Sequence, residues 1–442
     1  MSDWIRVPRR FVAERFIRPL QEYVSTEAWG GIVLLIATII ALAWANSPWD
    51  ASYFHLWERE IVLDTSFISV HLTFHNAVND GLMTIFFFVV GLEIKRELLH
   101  GELASPRKAA LPVAAALGGM VVPALIYTAW NAGGDGSHGW GIPMATDIAF
   151  ALGLLALLGR RVPFSLTVFV LALAIVDDLG AILVIAVFYT DHISVEALSW
   201  AVALAVVIFV VARAGLRSVD AYVALGALLW LAVFKSGIHA TIAGVTLAAL
   251  TPARPFFPVE EFEPQAEALL TAYHNAHTDA EKDTAAATLR DFERLSHDSE
   301  SPLDRLVEIL HPWTSYLIVP IFALANAGVA LTGGVAHDAA TSAVTFGIIT
   351  GLVIGKPVGI LLFSWIAVRM RIASLPASVG FVHILGAGVL AGIGFTVSLF
   401  IAGLAFKHPL LISDAKVGIL AASVIAGTAG FIFLSLSPGE PD

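Results

Sequence analysis

The sequence predicts an all-α polytopic membrane protein of about twelve transmembrane helices, with one small β-hairpin outside the bilayer. Three observations predict it. Of the 442 residues, 57% are hydrophobic and only 14% charged, where soluble domains carry about a quarter charged residues. Apolar runs long enough to cross hydrocarbon recur twelve times. These runs are continuous rather than alternating, so the backbone satisfies its hydrogen bonds in lipid as helices and not as a strand barrel.

Composition also excludes several function classes. A soluble enzyme does not fit. The net charge of -11 without a basic tail argues against nucleic acid as a partner. The absence of cysteine excludes disulfides, thiolate metal sites, haem attachment and iron–sulfur clusters. No resident cofactor is expected.

Residues 1–29 read as a cytoplasmic segment in which Phe11, Phe16, Ile17, Leu20 and Val24 alternate with Arg10, Arg15 and Arg18. This is the pattern of a basic amphipathic helix on the lipid surface, kinked at Pro19. Membrane helices one to eight occupy 30–250, with runs at 30–46, 80–98, 109–130, 140–158, 163–188, 197–213, 219–235 and 238–250. Within that region, near 50–75, Ile68, Val70, Leu72 and Phe74 alternate with polar residues, the period of a strand. A periplasmic hairpin fits, either pairing its edge with a second protomer or covering the bundle mouth. His71 and His75 are too far apart in a strand to share a metal ion.

Residues 251–311 form an acidic cytoplasmic insert, with 13 acidic against 5 basic residues. Two amphipathic helices are expected there, one through Ala285, Leu289, Phe292 and Leu295 and one through Leu303, Leu306 and Ile309. His274 and His277 read as part of a solvated charged surface. Residues 312–442 carry helices nine to twelve, at 312–331, 341–368, 379–404 and 414–436, and a short tail.

Lys and Arg fix the orientation. Counting alternate sides puts 20 of them with the N-terminus and only Arg59, Lys235, Lys407 and Lys416 opposite. Both termini are therefore expected in the cytoplasm.

Lys356, the remaining cation, lies inside a span. So do Asp147, Asp177 and Asp178, all near the middle of their runs. Intramembrane ionisable groups are costly and carry a functional hypothesis. One buried ion pair, Lys356 with Asp147 or Asp177, would merely staple helices. Three carboxylates against one ammonium leave excess negative charge that protons or cations must neutralise. Two carboxylates ~6 Å apart at an effective dielectric of ~20 repel by roughly 2.8 kcal/mol, which favours a proton or a small hard cation between them. Competition of those two for one site suffices for an exchanger.

Backbone signals surround these charges. Gly141 and Pro143 interrupt one run just before Thr146 and Asp147, and Gly386, Gly388, Gly392 and Gly394 stud another. Paired interruptions point to broken helices of an inverted repeat meeting at a midplane site. On that reading Asp147 offsets helix N-terminal dipoles and Lys356 the C-terminal ones.

At this point the chain resembles a known family. Gly91-Leu-Glu-Ile-Lys-Arg-Glu97, Ala145-Thr-Asp-Ile-Ala-Phe-Ala-Leu-Gly153, Ala174-Ile-Val-Asp-Asp-Leu-Gly-Ala181, Lys235-Ser-Gly-Ile-His-Ala-Thr241, His311-Pro-Trp313, Gly355-Lys-Pro-Val-Gly359 and Gly392-Ile-Gly-Phe-Thr396 are similar, in order, to motifs of the NhaA-type bacterial sodium/proton antiporters.

The resemblance implies a twelve-helix inverted-repeat fold of the inner membrane, with broken helices 140–158 and 379–404 crossing. It further implies homodimerisation through the hairpin, contact with membrane lipid, and exchange of sodium or lithium for protons in sodium and pH homeostasis. By motif, Asp178 is the main sodium ligand, Asp177 a second ligand that pairs with Lys356, and Asp147 and Thr146 assisting groups. Glu93 falls on an acidic position linked to pH response, and His239 on a histidine near the periplasmic side. Two departures stand out: the 251–311 insert is long, and the acid ahead of His311 is Glu308, one position from the usual one, where this chain has Val307.

Two other classes also place carboxylates in a bundle. An intramembrane aspartyl protease needs its two aspartates on facing helices, whereas Asp177 and Asp178 are adjacent on one. A sodium-coupled solute symporter needs a solute cavity.

Overall fold

The computed structural model describes residues 10–64, 69–190, 193–214, 219–255, 259–275, 282–331 and 334–437. Helix α1, Arg10–Ala45, runs unbroken from the basic stretch into the first apolar run, so residues 10–29 do not form a helix of their own. The chain then turns by 113° into α2, Asp50–Glu58. Strands β1, Glu60–Asp64, and β2, Ser69–Thr73, pair antiparallel with Glu60 opposite Thr73 and Asp64 opposite Ser69. The strand ends one residue earlier than its alternation suggests, because the Thr73 hydroxyl caps a helical turn by accepting the Asn76 N–H. His75 therefore lies on a helix, not in a strand.

Helix α3, Phe74–His100, is followed by α4, Pro106–Asn131, and by α5, Asp135–Leu158, which is interrupted between Met144 and Ile148. Then come α6, Phe164–Phe188, α7, Val195–Arg213, α8, Val219–Ser236, and α9, Thr241–Leu250. The insert holds α10, Val259–Asn275, and α11, Lys282–Asp298. The rest comprises α12, Pro302–Asn326, and α13, Ala343–Arg369, then α14, Phe381–Ala391, α15, Phe395–Ala405, and α16, Pro409–Leu436. A short helix, Gly334–Ala339, leads into α13.

Among the described residues, eight helices are long and apolar enough to cross a membrane, and counting each bent pair as one span gives up to ten. The shorter apolar helices Ala221–Ser236 and Thr241–Leu250 add to these. Outward faces are apolar, as with Ile32, Leu35, Ile36, Ile39 and Ile40 on α1 and Val202, Val206, Phe209 and Val210 on α7. No aqueous surface of a monomer exposes stripes of that size. The protein is a multi-pass membrane protein.

The insert differs from expectation at both ends. Helix α10 sits where no helix was expected: Phe262 and Ala266 turn inward, and the Phe262 ring meets Phe292 of α11 with centroids 6.4 Å apart. At the other end, α12 starts at Pro302 and continues through His311 into the membrane region. Its Leu303 and Val307 pack with Leu92 of α3 and Ala248 of α9. The segment 302–311 is thus continuous with the apolar helix that follows it. His277 lies outside the described residues.

The core that positions the site is built by close helix approach. A Cβ on Gly118 of α4 would overlap the Gly359 carbonyl, and one on Gly359 of α13 would overlap that of Gly118. Only hydrogen at both positions lets α4 and α13 touch backbone to backbone, which drives Lys356, one turn away on α13, into the centre of the bundle.

Candidate ion-binding site

Two interrupted helices meet at their breaks. On α5, Asp147 is the N-cap of the second half: its Oδ1 accepts the Phe150 N–H at 3.1 Å. Its Oδ2 accepts from both the backbone N–H of Thr396 at 3.0 Å and the Thr396 hydroxyl at 2.6 Å, at the start of α15. One carboxylate therefore serves two helix N-termini, where exposed N–H groups favour negative charge. The Asp147 N–H in turn donates to the Ile393 carbonyl at 2.6 Å.

The C-terminal ends of the first halves receive donors. The Lys356 ammonium donates to the Met144 carbonyl, the last residue before the break in α5. The Thr146 hydroxyl lies 3.1 Å from the Ala391 carbonyl, at the end of α14, and 2.7 Å from Asp177 Oδ2. Ser398 donates to the Ile142 carbonyl at 2.8 Å. Between α14 and α15 the chain bends by 49°.

Asp177 and Asp178 are adjacent on α6, so their side chains leave the helix about 100° apart. That rotation separates them. Asp177 faces Lys356, with Oδ2 2.8 Å from Nζ and both side chains fully enclosed. Its other oxygen, Oδ1, is buried and has no hydrogen-bond partner among the described residues. Asp178 instead lines a cavity of about 50 Å³, shared with Asp147, Thr146, Glu93, Glu27 and His311. It takes no hydrogen bond or ion pair from a described residue. The cavity is the size of a few waters or one partly hydrated ion.

Four carboxylates, Glu27, Glu93, Asp147 and Asp178, line this space. At the Glu27 end, His311 Nε2 lies 2.8 Å from Glu27 Oε1 and 3.8 Å from Glu93 Oε1. The Ser315 hydroxyl donates to Glu27 Oε1 at 2.9 Å.

The structure thus brings Thr146, Asp147, Asp178 and Glu93 to one cavity, with Asp177 and Lys356 paired behind it. Joint ligation of one ion by Asp177 and Asp178 requires Asp177 to turn from Lys356. Glu308 is not brought in. It is exposed on the outer side of α12 while Val307 takes the inward position. There it faces Glu300, whose carboxyl is pushed up by burial and by the neighbouring Glu308 and Asp304 charges. His239 is also remote: its Nε2 hydrogen-bonds the Tyr189 carbonyl, eleven residues or about 17 Å along α6 from Asp178. Glu27 is absent from the sequence reading because it precedes the first apolar run, where a charge is unremarked. His311 enters that reading only as part of a motif.

The sequence model of the family described as Na+/H+ antiporter 1 matches residues 21–434. The chain belongs to the Na+/H+ antiporter 1 family. Among its relatives, the Na(+)/H(+) antiporter NhaA 2 of Syntrophotalea carbinolica is 47% identical, with 95% of this chain and 96% of the relative covered. The Na(+)/H(+) antiporter NhaA of Wolinella succinogenes is 46% identical, covering 94% and 93%. That of Rhodopirellula baltica is 44% identical, covering 97% and 96%. The family match and these relatives make the protein a Na+/H+ antiporter, a transporter rather than an enzyme.

Proposed function

We propose that this protein exchanges cytoplasmic sodium, or lithium, for external protons across the bacterial inner membrane by alternating access. The observation that carries the reading is the division of the aspartates: Asp178 stands in a carboxylate-lined cavity without a hydrogen-bond partner among the described residues, and Asp177 is held by Lys356. In this scheme sodium takes hard oxygens from Asp178, with Asp147 and Thr146 assisting. Asp177 leaves Lys356 to complete the ligand set, its Oδ1 being the available oxygen. Protons discharge the same groups when sodium leaves, so the two cargoes exclude each other.

Family membership supports the wider scheme. The two shorter apolar helices complete twelve spans, the broken helices α5 and α14–α15 cross as equivalent members of an inverted repeat, and both termini are cytoplasmic. Glu93, with His311 and Glu27, supplies the pH response, to which Glu308 and His239 contribute less. The two-stranded hairpin leaves strand edges for a second protomer, giving a homodimer in contact with lipid. Exchange of two protons for each sodium makes transport electrogenic and serves sodium and pH homeostasis.

The test is reconstitution. Proteoliposomes with an imposed pH gradient should lose it on addition of sodium or lithium, and absence of proton movement between pH 6 and 9 would refute the proposal. A sodium-coupled symporter would instead take up sodium only with a solute, and a cavity of about 50 Å³ leaves no room for one.

A further inference from the structure

A second cavity of about 300 Å³ opens on the hairpin side, and its lining shares no residue with the carboxylate cavity. Tyr53, Phe54, Trp57 and Glu58 of α2 line it together with Thr73, His75, Gly328 and Lys416. The exchange scheme uses none of them.

Two hydrogen-bond donors in this space are incompletely met. The Lys416 ammonium has one bond, to the Gly328 carbonyl at 3.3 Å, and no carboxylate within ion-pair distance among the described residues. An enclosed ammonium with a single carbonyl is poorly compensated. The buried Trp57 indole N–H makes no hydrogen bond of acceptable geometry. Its polar neighbour is the Tyr53 hydroxyl, a strained contact because that oxygen also donates to the Leu324 carbonyl at 2.8 Å and accepts the Gly328 N–H at 3.2 Å.

His75 does not serve as the missing acceptor. Asn326 donates to Asn79 Oδ1 at 3.0 Å, and Asn79 donates to His75 Nδ1 at 3.1 Å. His75 Nε2–H is left to donate to Asn326 Oδ1 at 3.1 Å. The ring of three side chains is closed, and the histidine has no lone pair to offer Lys416. The rest of the lining is Ala325, Thr73, the Glu58 carboxylate and aromatic rings, with the Tyr53 ring edge-on to Phe54 and Trp57 at centroid distances of 5.2 and 6.3 Å.

We propose that this cavity binds a small organic anion, its carboxylate between Lys416 and the Trp57 N–H and its apolar body against the Tyr53 and Trp57 rings. The volume is at the lower end for ligand pockets, which fits a single-ring acid. A cationic ligand is opposed by Lys416, and a neutral one leaves the ammonium unmatched. The occupied site would bridge α2, the end of α12 and α16.

The test uses potassium benzoate as probe on the purified full chain, by isothermal titration at fixed sodium. Saturable binding is expected, with benzamide and benzylamine about tenfold weaker or more, since tenfold corresponds to only about 1.4 kcal/mol. Lys416→Gln should weaken benzoate to the same extent. Trp57→Phe, which keeps the ring and removes the N–H, should weaken it several-fold, and both variants should elute monodisperse. Equal affinity in nanodiscs of phosphatidylcholine and of phosphatidylglycerol is expected of a site for a soluble acid. Benzamide binding as tightly as benzoate, benzoate binding unaffected by Lys416→Gln, or loss of benzoate only in phosphatidylglycerol discs would each overturn the proposal, the last by giving the cavity to a lipid headgroup.

Discussion

The Lys356 ammonium lies 2.8 Å from the Asp177 carboxylate, both side chains sealed from solvent, while Asp178, next in sequence to Asp177, has no ion-pair partner among the described residues. A pair so enclosed is stable only as a pair. Removing one member of a buried ion pair costs about 3–5 kcal/mol, because the other charge stays buried.

Asp177 and Asp178 should therefore fail in different ways. Asp178→Asn keeps the volume and removes a hard ligand, so exchange should fall to background with the melting midpoint in detergent unchanged or higher. Asp177→Asn strips Lys356 of its counter-charge and should lower both exchange and melting midpoint. Equal stability loss in the two variants would contradict the geometry.

Substitution of Lys356 should separate charge from shape. Lys356→Arg keeps the positive charge and should retain part of the exchange, although the wider guanidinium strains the contact with Met144. Lys356→Gln should lower the melting midpoint by the equivalent of several kcal/mol and shift exchange to more alkaline pH, as read from pH-gradient dissipation over pH 6 to 9.

Glu27→Gln removes one of four carboxylates around the cavity but none of the groups facing Asp177. The apparent KM for sodium should rise several-fold with the maximal rate little changed. A fall in rate at unchanged KM would place Glu27 in the transport step itself.

Deletion of 260–297 should leave exchange competent, because α10 and α11 lie outside the membrane spans. Extending the deletion to 305 should abolish folding, since it takes Leu303 from its packing against Leu92. Fluorescence-detected size exclusion of the two deletions distinguishes these outcomes.

Two protons per sodium would move one net charge per cycle, worth about 2.3 kcal/mol per 100 mV. Sodium-driven proton flux should then rise or fall with a potassium diffusion potential set by valinomycin. Flux indifferent to that potential would rule out this stoichiometry and leave the aspartate site standing.

The membrane helices and the four midplane charges are legible in the sequence, because a charge within an apolar run stands out against its surroundings. Division of labour between Asp177 and Asp178 is not, since it depends on how α6 is rotated against α13. A rotation of the same kind decides Val307 against Glu308: one residue turns the helix by about 100° and carries the acid from the face packed on Leu92 and Ala248 to solvent. Glu27 is hidden for another reason, lying where a charged flank is ordinary. The first turns of α12 read as insert because Asp304, Arg305 and Glu308 precede the apolar run, although Leu303 and Val307 of the same turns face inward. Helix α10 is masked by Pro264 and its run of acids, and its inward face gains meaning only against α11.

Five hydrogen bonds cross between the two broken helices, from Asp147 N to Ile393 O, from Thr396 N and Thr396 Oγ1 to Asp147 Oδ2, from Thr146 to Ala391 O and from Ser398 to Ile142 O. At about 1 kcal/mol each, and more for those to a charge, parting them costs on the order of 5 kcal/mol. The two helices therefore behave as a single yoke. Any rearrangement of one broken helix therefore carries the other with it, and the yoke turns as a unit against the helices that flank it, α1 among them.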